Sequence, residues 1–285
     1  MSTETRILTD DDLDGLVTTD DLIAALRAVH IDQALGRAEQ PVPMLTAAGP
    51  DTVLLPMIAT SHRLGLTAVK ILTDARANGP ADGPAQQSTI VVLDAHTGAR
   101  RAVLTGGRIT RERTTAATAV ATDALARPDS RVLGMIGAGP LAVEHVAALR
   151  RVRGLRSVVV WSRSAERVDR FRGALRKREA ADGVSPIEVR TAGDPRSAVE
   201  TCDVLCTLTP ARTPVVEGSW FLPGLHVNAV GAYADSAPGP ESAASRVGVG
   251  CADAATERAI EAATVDAIRS SSAVRGESDT GEVWQ

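Results

Sequence analysis

Gly137-Ala138-Gly139-Pro140-Leu141-Ala142 is the stretch of this 285-residue chain whose residue types and spacing most directly suggest chemistry. It follows the apolar run Arg131-Val-Leu-Gly-Met-Ile136 and opens a segment of helical pattern, so its amides and the positive end of a helix can face a dinucleotide's diphosphate. Gly137 permits the tight turn, Gly139 lets a phosphate approach the backbone, and Ala142 lets helix and strand lie close. Pro140 and Leu141, at the first helical positions, belong to the same cradle. Alone, Gly-x-Gly-x-x-Ala is a weak signal; its place between strand and helix is what gives it weight.

The next apolar run, Ser157-Val-Val-Val-Trp161, would carry the residue that reads the adenosine ribose. A site for NAD usually ends this strand with Asp or Glu. Here Ser162-Arg163-Ser164 and then Arg167 follow, two cations and no carboxylate, which suits a 2′-phosphate. The expected cofactor is NADPH, with NADH as the alternative; the bland reading is that Arg163 and Arg167 are solvated surface charges.

The elements around these motifs alternate between strand and helix. A helix from Leu141, one from Ala165, a strand at Ile187–Arg190, a short helix near Arg196–Glu200, and strands at Val204–Leu208 and Leu225–Val230 make a buried parallel sheet with crossover helices. Residues 113–254 are therefore expected to form a Rossmann dinucleotide-binding domain. Residues 1–112 read differently, as a mixed α+β domain: a helix over 11–37 capped by Thr19-Asp20, then strands at 52–58, 67–72, 88–93 and 102–104. Asp94-Ala-His-Thr-Gly98 is expected to turn between the last two, and the Gly- and Pro-dense stretch 78–87 to be a loop. A long Ala-rich helix, capped by Thr110 and stopped before Pro128, connects the two regions. The tail after Cys251 reads as helical at first and then polar.

Composition narrows the function classes. At 44% hydrophobic, 23% charged and a net charge of −4, the chain has the makeup of a globular protein, and with 2% aromatics and no basic field it is a poor match to nucleic acid. The acidic N-terminus and the absence of a long apolar run lead us to expect no membrane span and a cytoplasmic location. Cys202, Cys206 and Cys251 form no CxxC pair, so no metal site is expected and the thiols read as small apolar fillers.

From the first helix to about residue 245 the chain resembles the ornithine cyclodeaminase/μ-crystallin family. The resemblance is carried by Thr67-Ala-Val-Lys70, Asp94-Ala-His-Thr-Gly98, Arg113-Thr-Thr-Ala-Ala117, Ile136-Gly-Ala-Gly139, Ala198-Val-Glu-Thr-Cys-Asp-Val204 and Gly224-Leu-His-Val-Asn-Ala-Val-Gly231, in that order and spacing. It implies a Rossmann domain inserted into a substrate-binding and dimerisation domain, usually a homodimer with the active site in the cleft between domains. Residues 255–285 are then where the chain would return to the first domain.

The resemblance also implies roles. Lys70 matches a strand lysine that approaches the substrate's carboxylate or imine; read by itself it is a solvated strand residue. Arg113 matches an arginine at a helix start that grips the substrate carboxylate, against a plain surface charge beside Arg108 and Arg111. Thr114 is similar to a hydroxyl residue that helps hold the cofactor phosphates. Thr207, Leu208 and Thr209 lie where the family lines the nicotinamide ribose, and Val230-Gly231 where backbone meets the nicotinamide. Asp235 is the candidate acid/base carboxylate, with Tyr233 as a rival proton donor.

Two departures bear on substrate. Gln40-Pro-Val-Pro-Met44 has Pro43 where the family commonly places a carboxylate-binding arginine, and Val53-Leu-Leu-Pro-Met57 lacks the glutamate that cyclodeaminases carry beside a Met-Pro pair. The resulting expectation is an NADPH-dependent oxidoreductase that reduces a small imine, ketimine or α-keto acid-derived substrate. The rivals are a cyclodeaminase-like lyase that uses NAD catalytically, and a non-enzymatic NADPH-binding protein of the μ-crystallin type.

Overall fold

The computed structural model describes residues 5–49, 52–75, 86–209, 211 and 213–231. Among them the chain first builds β1 (Arg6–Leu8), α1 (Thr19–Ala34), β2 (Ala38–Glu39), β3 (Thr46–Gly49), β4 (Thr52–Ser61), β5 (Leu66–Ala75), β6 (Gln86–Asp94) and β7 (Arg100–Thr105). These strands form one sheet ordered β1-β7-β6-β5-β4-β2, with β3 on another stretch of β4. All its pairings are antiparallel except β1 on β7.

There follow α2 (Gly107–Leu125), β8 (Val132–Ile136), α3 (Pro140–Val152), β9 (Ser157–Trp161), α4 (Ala165–Ala181), β10 (Glu188–Thr191), α5 (Pro195–Glu200), β11 (Val204–Thr207) and β12 (His226–Ala229). The second sheet is ordered β10-β9-β8-β11-β12 and is parallel throughout. Numbered within this unit the order is 3-2-1-4-5, the Rossmann arrangement, and the chain reverses direction across the sheet between β8 and β11. An α/β protein with a Rossmann-like fold is what the alternation of apolar runs and helices predicted.

Two helix boundaries differ from the sequence reading. Helix α1 spans 19–34 rather than 11–37, and Thr18 is its cap: the Thr18 hydroxyl accepts from the Asp21 amide at 3.1 Å, and the Asp21 carboxylate accepts from the Thr18 amide at 3.0 Å. This reciprocal box satisfies the first orphan amides and ends the helix there. The acidic stretch before it is turned instead, with Asp12 holding the Thr9 amide at 2.8 Å and Gly15 at a φ of 70°. Helix α2 begins at Gly107, not at a Thr110 cap. The Thr110 hydroxyl donates to the Gly106 carbonyl at 2.6 Å, a bond made from inside the helix. Arg113 thus lies about two turns in rather than at the helix start. Residues 76–85, and the whole tail in which a return to the first sheet and a further helix were expected, lie outside the described residues.

Among the described residues, apart from Ile23, every buried hydrophobic side chain belongs to residues 116–206. Leu133 and Met135 of β8, Val158 and Val160 of β9, and Val204 and Cys206 of β11 pack with α2, α3 and α4, while Ile136, Val159 and Leu205 face the other way, toward α5. That is the period-2 alternation of a sheet covered on both faces. No residue of the first sheet is fully buried on either face. The two regions are tied by charge: Asp123 of α2 binds Arg27 of α1 and Arg153 at the end of α3, and Arg153 also donates to the Thr122, Asp123 and Ala126 carbonyls, filling the C-terminal end of α2. No helix among the described residues is long and apolar enough to cross a membrane.

Candidate active site

At the end of β8 the chain turns through Gly137 with a φ of 117°. L side chains rarely adopt that conformation, and a Cβ there would also press on the Leu208 carbonyl oxygen and Thr209 Cγ2 at 3.2 Å. Gly139 is different. Its φ is an ordinary −85°, and nothing lies within 4 Å of where its Cβ would be. The fold does not need a glycine at that place; open space in front of a helix does.

Helix α3 starts there with Pro140 in its first turn and no side-chain cap, whereas Thr18, Ser164 and Asp194 cap α1, α4 and α5. Pro140 has no amide hydrogen and the Ala142 amide donates to the Gly139 carbonyl at 3.0 Å, so the Leu141 amide and the positive end of the helix dipole are what the opening above Gly139 presents, a place suited to the diphosphate of a dinucleotide. Pro140 is exposed and Leu141 half-buried at this rim.

Across the switch point lie the ends of β11 and β12. The Val230 and Gly231 amides both donate to the Thr207 carbonyl, at 3.1 and 2.7 Å, and the Leu208 amide donates to the Ile136 carbonyl at 2.8 Å. A Cβ on Gly231 would come within 2.4 Å of the Thr209 carbonyl oxygen. Gly137, Thr207, Leu208, Thr209, Val230 and Gly231, far apart in sequence, therefore line one edge.

Helices α2 and α3 run side by side in the same direction. His145 of α3 meets Thr118, and Arg153, at the end of α3, meets the last carbonyls of α2. One turn before Thr118 and His145, Thr114 and Arg113 therefore stand level with Leu141, beside the glycine turn. The Thr114 hydroxyl donates to the Thr110 carbonyl at 2.6 Å, so its proton reaches a phosphate only after a χ1 rotation.

Lys70 comes to the same place from the first sheet. On β5 it stands opposite Met57 of β4 and Ile90 of β6. Its side of the sheet is the one facing α2, because Ser88, two residues before Ile90, has its hydroxyl 3.4 Å from that of Thr110. Burial pushes the Lys70 ammonium down to about 8, and the neighbouring Arg113 guanidinium adds to the shift. Arg113 is exposed as a whole residue, yet the protein around its guanidinium desolvates it enough to lower its pKa as well. Among the described residues neither cation has a carboxylate partner. Two neighbouring like charges without a counter-ion make an arrangement suited to an anion.

On the far side of the turn, Ser164 accepts from the Arg167 amide at 3.3 Å and caps α4, and the Ser164 amide donates to the Ser162 hydroxyl at 3.4 Å. Arg163 and Arg167 are exposed, with no ion-pair partner among the described residues. Asp235 and Tyr233 lie outside the described residues, as does Cys251. The Cys202 and Cys206 thiols are free, and burial pushes both up to about 12, which keeps them inert as fillers.

Sequence reasoning passed over His145. Its Nδ1 donates to the Leu141 carbonyl at 2.8 Å and its Nε2 lies 3.1 Å from the Thr118 hydroxyl, so one fully buried ring joins the start of α3 to α2. Its position four residues after Leu141 was the available signal. Burial pushes its pKa from 6.5 down to about 4. Above pH 6.5 both folded and unfolded chains hold it neutral and its contribution is complete. Between there and pH 4 only the unfolded chain takes up the proton, so stability falls, by about 3 kcal/mol for this group. His145→Gln should accordingly lose about 3 kcal/mol less than the natural chain over that interval in urea unfolding; equal losses would mean the ring is charged in the fold.

The family model described as the ornithine cyclodeaminase/mu-crystallin family matches residues 3–240. The alanine dehydrogenase of Archaeoglobus fulgidus is 30% identical over 230 residues, 80% of this chain and 67% of that protein. The ketimine reductase mu-crystallin of Mus musculus is 32% identical over 163 residues, 57% of this chain, and the match spans only 49% of that relative. Among solved structures, the Δ1-pyrroline-2-carboxylate reductase of Thermococcus litoralis, in complex with NADH and L-proline, superposes with a TM-score of 0.74 at 30% identity, covering 80% of this chain and 69% of that one. An archaeal alanine dehydrogenase dimer with bound NAD gives 0.71 at 28% identity, covering 78% and 66%. With the family model matching residues 3–240, nearly the whole chain, this protein belongs to the ornithine cyclodeaminase/mu-crystallin family.

Proposed function

We propose that this chain is a nicotinamide-dinucleotide-dependent reductase acting on the C=N bond of a small carboxylate-bearing imine or ketimine, including imines derived from α-keto acids. The observation that carries this reading is the Lys70–Arg113 pair, two cations without a carboxylate partner among the described residues, level with the phosphate turn. The relatives named for alanine dehydrogenation, ketimine reduction and pyrroline-2-carboxylate reduction all do chemistry at a nitrogen-bearing carbon.

When bound at the Gly137–Leu141 turn, the dinucleotide supplies the hydride. Arg113 offers its planar fork to the substrate carboxylate, and Lys70, mostly charged at neutral pH, holds the same carboxylate and polarises the imine. The anion relieves their mutual repulsion, so binding is favoured by the strain of the empty pair. Asp235 is the proposed proton donor to the substrate nitrogen and Tyr233 its rival. The first sheet with α1 is the proposed substrate region and the Rossmann-like unit the cofactor region.

NADPH is the proposed cofactor, supported by the exposed Arg163 and Arg167 and the lack of a carboxylate after Trp161; NADH, carried by one solved relative, is the alternative. The purified chain should oxidise NADPH in the presence of cyclic ketimine carboxylates or keto acid and amine mixtures, and Arg163→Asp should weaken NADPH about tenfold while sparing NADH. Absence of oxidation across that panel, with the cofactor bound, would sink the reductase reading. Unchanged NADPH affinity in Arg163→Asp would sink the cofactor choice. A cytoplasmic location, where reduced dinucleotide is supplied, goes with this reading.

A homodimer is proposed on the face of the first sheet turned away from Lys70. It carries Leu54, Ile58, Val69, Ile71 and Val91, none fully buried, with Ile58 at 46% and Ile71 at 40% exposure, and one archaeal relative is a dimer. Sedimentation should find twice the chain mass; a monomer at micromolar concentration would refute it.

A further inference from the structure

We infer that the substrate of the Lys70–Arg113 site carries an apolar side chain or ring and no second charged group, with Met57 as a residue that sets this preference. The inference rests on the proposed reductase site and specifies its substrate class.

Lys70 stands on the α2 side of the first sheet with Met57 and Ile90 directly across from it. Along the same face come Ala68 and Leu72 on β5, Leu55 on β4 and Val92 on β6, all only half-buried. Paired residues lie about 5 Å apart and same-face neighbours along a strand about 7 Å apart, so these six residues surround the base of Lys70 and form the floor beneath its ammonium, within reach of a substituent on a carboxylate held there.

Among the described residues the wall offers nothing for a second charge. Its carboxylates, Asp74 and Asp94, lie four residues along their strands from Lys70 and Ile90, about 13 Å away. Asp94 is also taken up by Arg101 at 2.5 Å and by the Thr97 amide at 2.9 Å. The nearer polar group, the Ser88 hydroxyl, is engaged with Thr110. A second ammonium on the substrate would enter apolar surroundings beside two cations, and a second carboxylate would lack a donor once Arg113 and Lys70 hold the first. Either is an unmatched, partly dehydrated charge, which costs roughly tenfold or more in affinity. An aliphatic or cyclic substituent meets matching surface instead.

The test is calorimetric titration of the full chain, saturated with NADPH, using four amino acids that correspond to possible reduction products: L-proline, L-leucine, L-aspartate and L-ornithine. Either proline or leucine should bind at least about tenfold more tightly than both aspartate and ornithine. Met57→Glu, checked for folding by its melting curve, should improve ornithine and weaken the apolar pair. Aspartate or ornithine binding as tightly as the apolar ligands, or no discrimination among the four, overturns the inference, and these readouts on the natural chain stand even if the variant fails to fold. Turnover separates the two levels. Should the apolar order hold while the imine of the tightest ligand leaves NADPH unoxidised, the reductase reading fails and the wall stands. Should a dicarboxylate imine be reduced fastest, the reductase stands and this inference fails.

Discussion

Lys70→Met is expected to lower kcat/KM for the imine substrate by about 10³-fold while changing dinucleotide affinity by less than about threefold. The first figure follows from removing one member of a partly dehydrated charged contact, which costs 2–5 kcal/mol, about 30-fold to several thousandfold. The second follows from position, since Lys70 is on β5 and the phosphate turn between β8 and α3.

The same lysine sets a pH dependence. In the free protein its pKa sits near 8, below the ordinary 10.5, because burial and Arg113 disfavour the charge. Only the charged form attracts the substrate carboxylate. Hence kcat/KM should be flat below neutrality and decline as pH rises through about 8, a limb that reports the free enzyme. In Lys70→Arg that limb should move beyond the working range, because guanidinium stays charged. An unchanged limb in Lys70→Arg would assign the ionisation elsewhere, and full activity in Lys70→Met would remove Lys70 from the site.

The second large effect is expected at Gly139. Gly139→Val should weaken dinucleotide binding by roughly 10²-fold, as its side chain would fill the opening in front of α3, yet leave the melting temperature within a few degrees, because its φ is ordinary and nothing lies within 4 Å of the new Cβ. Gly137 provides the contrast. With a φ of 117° and contacts at 3.2 Å, even Gly137→Ala should destabilise the fold. Calorimetry and thermal melts on the two variants give both readouts. A Gly139→Val chain that binds NADPH normally would show that no diphosphate lies over that residue, and the phosphate-turn assignment would be lost.

Much of the second sheet was legible because its strands are short apolar runs, which have few ways to be buried other than in a parallel sheet flanked by helices. The glycine turn was legible because a backbone requirement leaves a compositional mark. Helix ends were read less well. Residues 11–17 share the polar and apolar spacing of α1, but the Thr18–Asp21 box and the turn at Gly15 compete successfully with helix there. Helix α2 extends back to Gly107, with no cap to mark its start, because the Gly106 amide is held by the Ser88 carbonyl across in β6.

Linear order determined the family resemblance, the glycine turn and the identity of the two cations. It left Lys70 and Arg113 as a strand lysine and a helix arginine, either of which is ordinary on a surface. Their meeting depends on strand register, which sets Lys70 opposite Met57 and on the α2 side, and on the parallel packing of α2 with α3, which brings Arg113 level with Leu141. The dehydration of each cation by the surrounding protein, and the repulsion between them, exist only in the folded chain, so the electrostatics of the pair belong to the tertiary structure and to neither residue alone.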